Sequence, residues 1–452
     1  MSYKIVMIGA GSFFTDAITG ELCRSQKAFA GSTFTLVDID PQALDLSKER
    51  NRAIVEKAGA DIRIEATTER RKALEGCDYV VCAFDRARVP TWISDNEIPK
   101  SFGVEQFMGE NGGPGGQAHS LRNITVFMGI CADMRELCPD ARIMNFTNPM
   151  SFIMTYLNRY SGIKSLGFCH QVHGSLGVVS EMLGFEPGEL QAITAGINHM
   201  NWLMDIRRRG SGESCMEEFF ERVRKSKWWK KVYPKVPEQV FTLDFLNTFG
   251  LYPVGYDNHI CEYMPFFYDR ETWEEKGYTA RLISLQKEMK ERKRWSGTGT
   301  EEELAMEQTK ARSEMYNVPF PKDADHPWYR ETPTAVMEAF ATNETHFLDA
   351  IIIPNHGAVD NLPYDAMLDI PAVVANGEVR SVHVGPLPTF AMELCRRQIT
   401  IHELLVEACV EGDRTKLVQS MALDPYVRSL EQARNITDAF LKHYKEDLPQ
   451  FA

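Results

Sequence analysis

The start of the chain constrains the fold more than any other stretch. Lys4-Ile5-Val6-Met7-Ile8 is a short apolar run that ends directly in Gly9-Ala10-Gly11-Ser12-Phe13-Phe14, and helical spacing begins at Thr15. A strand that turns on glycines into a helix is the opening unit of a parallel sheet covered by helices. The alternation continues. Strands are predicted at Lys4–Ile8, Thr33–Val37, Tyr79–Phe84, Arg142–Phe146 and Ser165–Phe168, with helices at Thr15–Arg24, Pro41–Ala58 and Ile124–Leu137. This is an α/β pattern with a Rossmann-type parallel sheet.

At 452 residues the chain exceeds one ordinary hydrophobic core, so two packed domains are expected. The division falls at residues 1–170, a dinucleotide-binding domain, and 171–452, an α+β domain for substrate, metal and oligomer contacts. In the second part, strand candidates at Ala192–Ile197, Leu203–Arg207 and Ala350–Ile353 lie among charged helices, including Met216–Lys231 and Thr279–Arg294. Residues Thr389 to Tyr444 read as mostly helical. Phe219, Phe220, Trp228 and Trp229 could form an oligomer contact.

Composition excludes some classes of function. The net charge is −13, without the basic excess that nucleic-acid binding needs. No apolar run is long enough for a membrane span. The N-terminal run lacks the basic flank of a signal peptide and reads as a strand. The ten cysteines have no regular framework, so reduced thiols and a cytoplasmic location are expected.

Gly9 and Gly11 permit a tight turn and close approach of a pyrophosphate to the following helix, with Ser12 and Phe13 beside them. The third glycine of the usual fingerprint is replaced by Phe14. Strand 2 ends at Asp38, whose carboxylate can accept from ribose hydroxyls and would repel a 2′-phosphate, which favours NAD. Asp38 lies 27 residues after Gly11, against about 20 in the usual fingerprint; Asp40 is the rival partner.

Cys169-His170 and His199 each follow a predicted strand, where α/β sheets place their sites. A thiolate and an imidazole can hold one divalent metal and leave positions open for water and substrate oxygens. Three loops add polar groups. Gly109-Glu110-Asn111-Gly112-Gly113-Pro114-Gly115-Gly116 is glycine-rich and carries a carboxylate. Asn145-Phe146-Thr147-Asn148-Pro149 ends a strand with two amides suited to sugar hydroxyls. Tyr252 to Tyr263 gathers ionisable side chains around Pro253 and Gly255.

Taken in order, KIVMIGAGS, GENGGPGG, FTNP, GFCH, AGINHMNW, YPVGYDNHICEY, IPNHGAVDNLP and the later LDP resemble glycoside hydrolase family 4, the NAD- and metal-dependent glycosidases. The resemblance spans nearly the whole chain. It implies a lactate/malate dehydrogenase-like fold, NAD and Mn2+ as cofactors, and a homodimer or homotetramer. Ligand softness alone points instead to zinc or iron.

The implied chemistry departs from the two-carboxylate rule for glycosidases. C3 of the sugar is oxidised to a ketone, which acidifies the C2 proton; its removal drives elimination at C1. Water then adds to the enone and the hydride returns to C3. The resemblance assigns Cys169 and His199 as metal ligands, Tyr256 or Asp257 as base, and His170 or Glu110 as acid. It gives Gly9, Gly11, Ser12, Phe13, Asp38 and Asn145 to the cofactor, and Asn148 and His259 to the sugar.

Cys169-His170 is similar to the members acting on unphosphorylated sugars, whereas the 6-phosphosugar members resemble Cys-Asp or Cys-Asn. An α-linked galactoside or galacturonide stands ahead of a glucoside or glucuronide, because the stretch from His259 to Tyr263 resembles those members. Gln171 matches none of the subgroup patterns. Two competing functions remain: a 2-hydroxy-acid dehydrogenase with His199 as its acid/base and no metal, and a non-catalytic dinucleotide-binding sensor.

Overall fold

The structure is a computed structural model that describes residues 2–12, 14–86, 88–225, 240–255, 257–267 and 332–452. Phe13, Tyr256, Trp228, Trp229 and the predicted helix Thr279–Arg294 lie outside the described residues.

The first strand, β1 (Lys4–Ile8), has the predicted bounds. It is followed by β2 (Ser32–Val37), β3 (Ile62–Thr67), β4 (Tyr79–Cys82), β5 (Arg142–Asn145) and β6 (Ser165–Gly167). These six pair in parallel in the order β3-β2-β1-β4-β5-β6, the doubly wound order of dinucleotide-binding folds. Alternate residues of β1 point to opposite faces and feed two separate cores. Ile5 and Met7 join one cluster, Val6 and Ile8 the other. Strand β3 lies at the sheet edge with the burial alternation of a half-exposed strand.

The sheet does not end with β6. Strands β10 (His346–Pro354), β11 (Met367–Ala375) and β12 (Glu378–Ser381) continue it in antiparallel fashion to nine strands. A second antiparallel sheet is built from β7 (Leu190–Ile197), β8 (Met200–Arg208) and β9 (Tyr252–Val254). Sequence reading misses β3, β9, β11 and β12.

Six helices matter for the site: α1 (Phe14–Arg24), α2 (Pro41–Ala58), α3 (Arg88–Ser101), α4 (Gly113–Leu137), α5 (Met150–Arg159) and α6 (Gln171–Leu183). Helix α4 corrects the prediction. It starts not near Ile124 but inside the glycine-rich run, with Pro114 in its first turn. Proline suits that turn because its missing N–H has no intrahelical partner there. Residues 113–116 are therefore buried helix start, and only residues 109–112 form a loop.

The helix predicted at Met216–Lys231 is described as Met216–Lys225. Phe219 in it is fully buried and packs edge-on against the Tyr252 ring. An oligomer contact through Phe219 is thus corrected: the ring belongs to the core. The C-terminal region holds helices Thr389–Glu411, Arg414–Leu423 and Leu430–His443, as its sequence predicts. All ten cysteines are free thiols. Among the described residues, no helix is long and apolar enough to cross a membrane.

Candidate active site

The turn after β1 is shaped for close approach. Gly9 has φ 88°, and a Cβ there would run into the Ala83 carbonyl, so a glycine is needed. The Gly11 amide donates to Asp38 Oδ2 at 2.7 Å, and Asp40 N donates to Asp38 Oδ1 at 3.0 Å. Asp38 therefore sits beside the glycine turn, as a ribose partner would. Asp40 is the N-cap of α2, accepting from Gln42 N and Ala43 N. Ser12 closes the turn by donating its amide to Gly9 O at 2.9 Å.

Asn145 is fully buried, and its amide is spent on its own turn. It donates to Thr147 O at 3.0 Å and accepts from Thr147 N at 3.0 Å. Asn148 differs: its buried Oδ1 has no hydrogen-bond partner among the described residues. A buried acceptor of this kind is costly unless a ligand satisfies it.

Cys169 follows β6 and His199 sits in the hairpin between β7 and β8. Their Sγ and Nε2 atoms lie 3.6 Å apart. For scale, zinc–sulfur and zinc–nitrogen bonds of about 2.3 and about 2.1 Å would span that gap at roughly a tetrahedral angle. The pair thus fits one cation without rearrangement. Among the described residues no cluster of three or more His, Cys, Asp or Glu stands ready to hold a metal.

His199 is held in an unusual conformation, with φ 69°. Its amide donates to Gln171 Oε1 at 3.1 Å, and Gln171 Nε2 donates to the Val254 carbonyl. Gln171 therefore clamps the His199 turn to the end of β9, from which the segment bearing Tyr256, Asp257 and His259 departs. The His259 ring stacks on His199 with centroids 4.3 Å apart.

Burial, with Asp369 next, pushes the Cys169 thiol up to about 11. Burial, with His259 next, holds the His199 imidazole well below its ordinary range, so it stays neutral.

His170 is exposed and stacks on the rings of Phe14 and Phe146, above the start of α1. Glu110 lines a cavity with Asp85, Trp92, His119 and Arg122. Asp257 opens the short helix Asp257–Ile260. The Tyr263 hydroxyl lies 3.5 Å from Asn111 O and 3.4 Å from Asn198 O, which joins the glycine-rich loop to the His199 turn.

Sequence reading missed Gln171 as a clamp, and it missed Glu262. The carboxylate of Glu262 is buried against the glycine-rich loop. Its spacing of three from His259, one helical turn, is the signal that could have exposed it.

The sequence profile described as family 4 glycosyl hydrolase matches residues 4–185, and that of the family's C-terminal domain matches residues 194–427. The chain belongs to the family 4 glycosyl hydrolases. An alpha-galactosidase of Bacillus subtilis (strain 168) is 29% identical over 99% of both chains. An alpha-glucosidase of Erwinia rhapontici is 29% identical over 94% of each. A 6-phospho-alpha-glucosidase from gut microorganisms, solved in complex with NAD and Mn2+, superposes with a TM-score of 0.77 at 22% identity over 100% of both chains. The fold of this family 4 enzyme is lactate/malate dehydrogenase-like.

Proposed function

We propose that this family 4 glycosyl hydrolase cleaves an unphosphorylated, α-linked glycoside by transient oxidation at C3, with NAD and a divalent manganese ion as cofactors. A galactoside or galacturonide is the favoured substrate. The observation that carries the reading is the Cys169–His199 pair, 3.6 Å apart, with the His199 ring stacked on His259. When bound, NAD would accept and return the C3 hydride, while the metal would supply positive charge to the C2 and C3 oxygens.

The chain's own residues would do the rest. Cys169 and His199 would hold the ion. Tyr256 or Asp257, which follow β9 in the sequence, would take the C2 proton. His170 or Glu110 would protonate the leaving oxygen. Asn148, with its unpartnered Oδ1, and His259 would bind sugar hydroxyls. The alpha-galactosidase and alpha-glucosidase relatives support an α-linked sugar, and Cys169-His170 supports an unphosphorylated one.

Hydrolysis of a panel of aryl α- and β-glycosides in heavy water, with NAD, Mn2+ and a thiol reductant, tests this route. Cleavage should place deuterium at C2 of the released sugar. Protium retained at C2 would exclude elimination.

A second expectation concerns pH. Metal binding needs the Cys169 thiolate, whereas His199 is already neutral. With the thiol near 11, each bound ion should release about one proton, and apparent Mn2+ affinity should rise about tenfold per pH unit between roughly pH 6 and 9. Titration calorimetry in buffers of different ionisation enthalpy measures both. An affinity independent of pH would remove the thiol from the metal site.

A further inference from the structure

Glu262 stands in the short turn Cys261–Tyr263 just after His259, and its side chain is buried. Its Oε2 accepts three consecutive backbone N–H groups, from Glu110 at 2.7 Å, Asn111 at 2.6 Å and Gly112 at 3.2 Å. Its Oε1 accepts from Asn111 Nδ2 at 3.2 Å and faces His259 Nδ1 at 3.3 Å. The approach is close. A Cβ on Gly112 would meet the Glu262 carbonyl oxygen at 2.7 Å and the Tyr263 ring at 3.0 Å. A carboxylate surrounded by donors is itself acceptor-only, so the ring nitrogen facing it must carry the hydrogen. A neutral imidazole protonated on Nδ1 has its lone pair on Nε2.

We propose that Glu262 is a positioning residue. It fixes His259 in the Nδ1–H tautomer, so that Nε2 acts as an acceptor for a sugar hydroxyl, and it pins the same ring to the 110–112 loop. The role of Nε2 toward a sugar hydroxyl rests on the glycosidase reading; the tautomer does not. Carboxylates behind functional histidines commonly set ring orientation in this way. Glu262 thereby links the glycine-rich loop, the sugar-facing ring and, through the stack, His199.

Glu262→Gln separates these roles. Its carbonyl oxygen can keep the three backbone donors, while its amide nitrogen replaces the other acceptor. Asn111 Oδ1, buried without a hydrogen-bond partner among the described residues, can turn to accept from that nitrogen. His259 Nδ1 must then accept as well, and the ring hydrogen moves to Nε2.

Long-range proton–nitrogen spectra of metal-free protein labelled on histidine read the tautomer, with the His259 signals assigned by their loss in His259→Asn. The wild-type ring should be Nδ1–H and the Glu262→Gln ring Nε2–H. With an aryl glycoside that the wild type cleaves, Glu262→Gln should raise KM at least about tenfold while kcat stays within about threefold.

A wild-type ring protonated on Nε2 alone overturns the proposal, and this measurement needs no variant. A flipped tautomer with unchanged KM overturns the substrate role. If the wild type cleaves no glycoside, the glycosidase reading fails while the spectra still decide what Glu262 does to His259.

Discussion

Cys169→Ala should lower metal-dependent kcat/KM by at least about a thousandfold, a loss of roughly 4 kcal/mol of transition-state stabilisation, and leave NAD affinity within about threefold. The size of the effect follows from geometry. The thiol is one of two donors 3.6 Å apart, and a single imidazole holds a divalent ion weakly. The charge that builds on the sugar oxygens would then be uncompensated. The turn at Gly9 to Ser12, the proposed dinucleotide site, follows β1, which β4 and β5 separate from β6, so NAD should still bind. Steady-state kinetics with Mn2+ and NAD titration followed by fluorescence give the two numbers. Full activity in the variant would remove the sulfur from the chemistry.

The second large effect concerns stability. Arg122, on α4, is fully buried and forms a two-pronged pair with Asp95 on α3, at 2.8 and 2.6 Å. Its guanidinium also lies 4.2 Å from the centre of the Tyr444 ring, whose hydroxyl is 2.7 Å from Asp95 Oδ1. Arg122→Ala leaves the Asp95 carboxylate buried without its partner and should cost about 3–5 kcal/mol. Asp95→Ala combined with Arg122→Ala should cost less than Arg122→Ala alone, because no charge is then stranded. Urea denaturation of the variants measures this. A single-variant loss below about 1 kcal/mol would mean that water reaches the site and solvates the carboxylate.

The legible parts of the chain were those whose local pattern and tertiary role agree. Strand β1 and helix α2 carry strong signals of their own, an apolar run and an Asp40-Pro41 start, and were read with their observed bounds or close to them. Strand β3 was missed although Ile62 and Ile64 alternate with Arg63 and Glu65. It is an edge strand, so only one face of it is apolar. The glycine-rich run was read as loop because glycine and proline usually break helices; here they begin one, and burial against neighbouring backbone favours the small residues.

Within the candidate site, Cys169 and His199 could be marked from the sequence because each follows a strand, but their 30-residue separation gives no distance. The structure brings them together through the β7–β8 hairpin and the Gln171 clamp. Only the three-residue spacing from His259 hints at Glu262, since its other partners are mostly backbone amides about 150 residues earlier in the chain. Such partners leave no trace in side-chain identity.

The continuation of the sheet from β6 into β10 bears on how the chain is made. The outer edge of β6 is covered by residues that emerge from the ribosome long after β6 itself, with Gly167 paired to Ile352. The six parallel strands are therefore complete in sequence well before their sheet is closed. Until the later strands arrive, a nascent chain carries an open, hydrogen-bond-hungry border, the kind of surface that invites misassembly and chaperone attention.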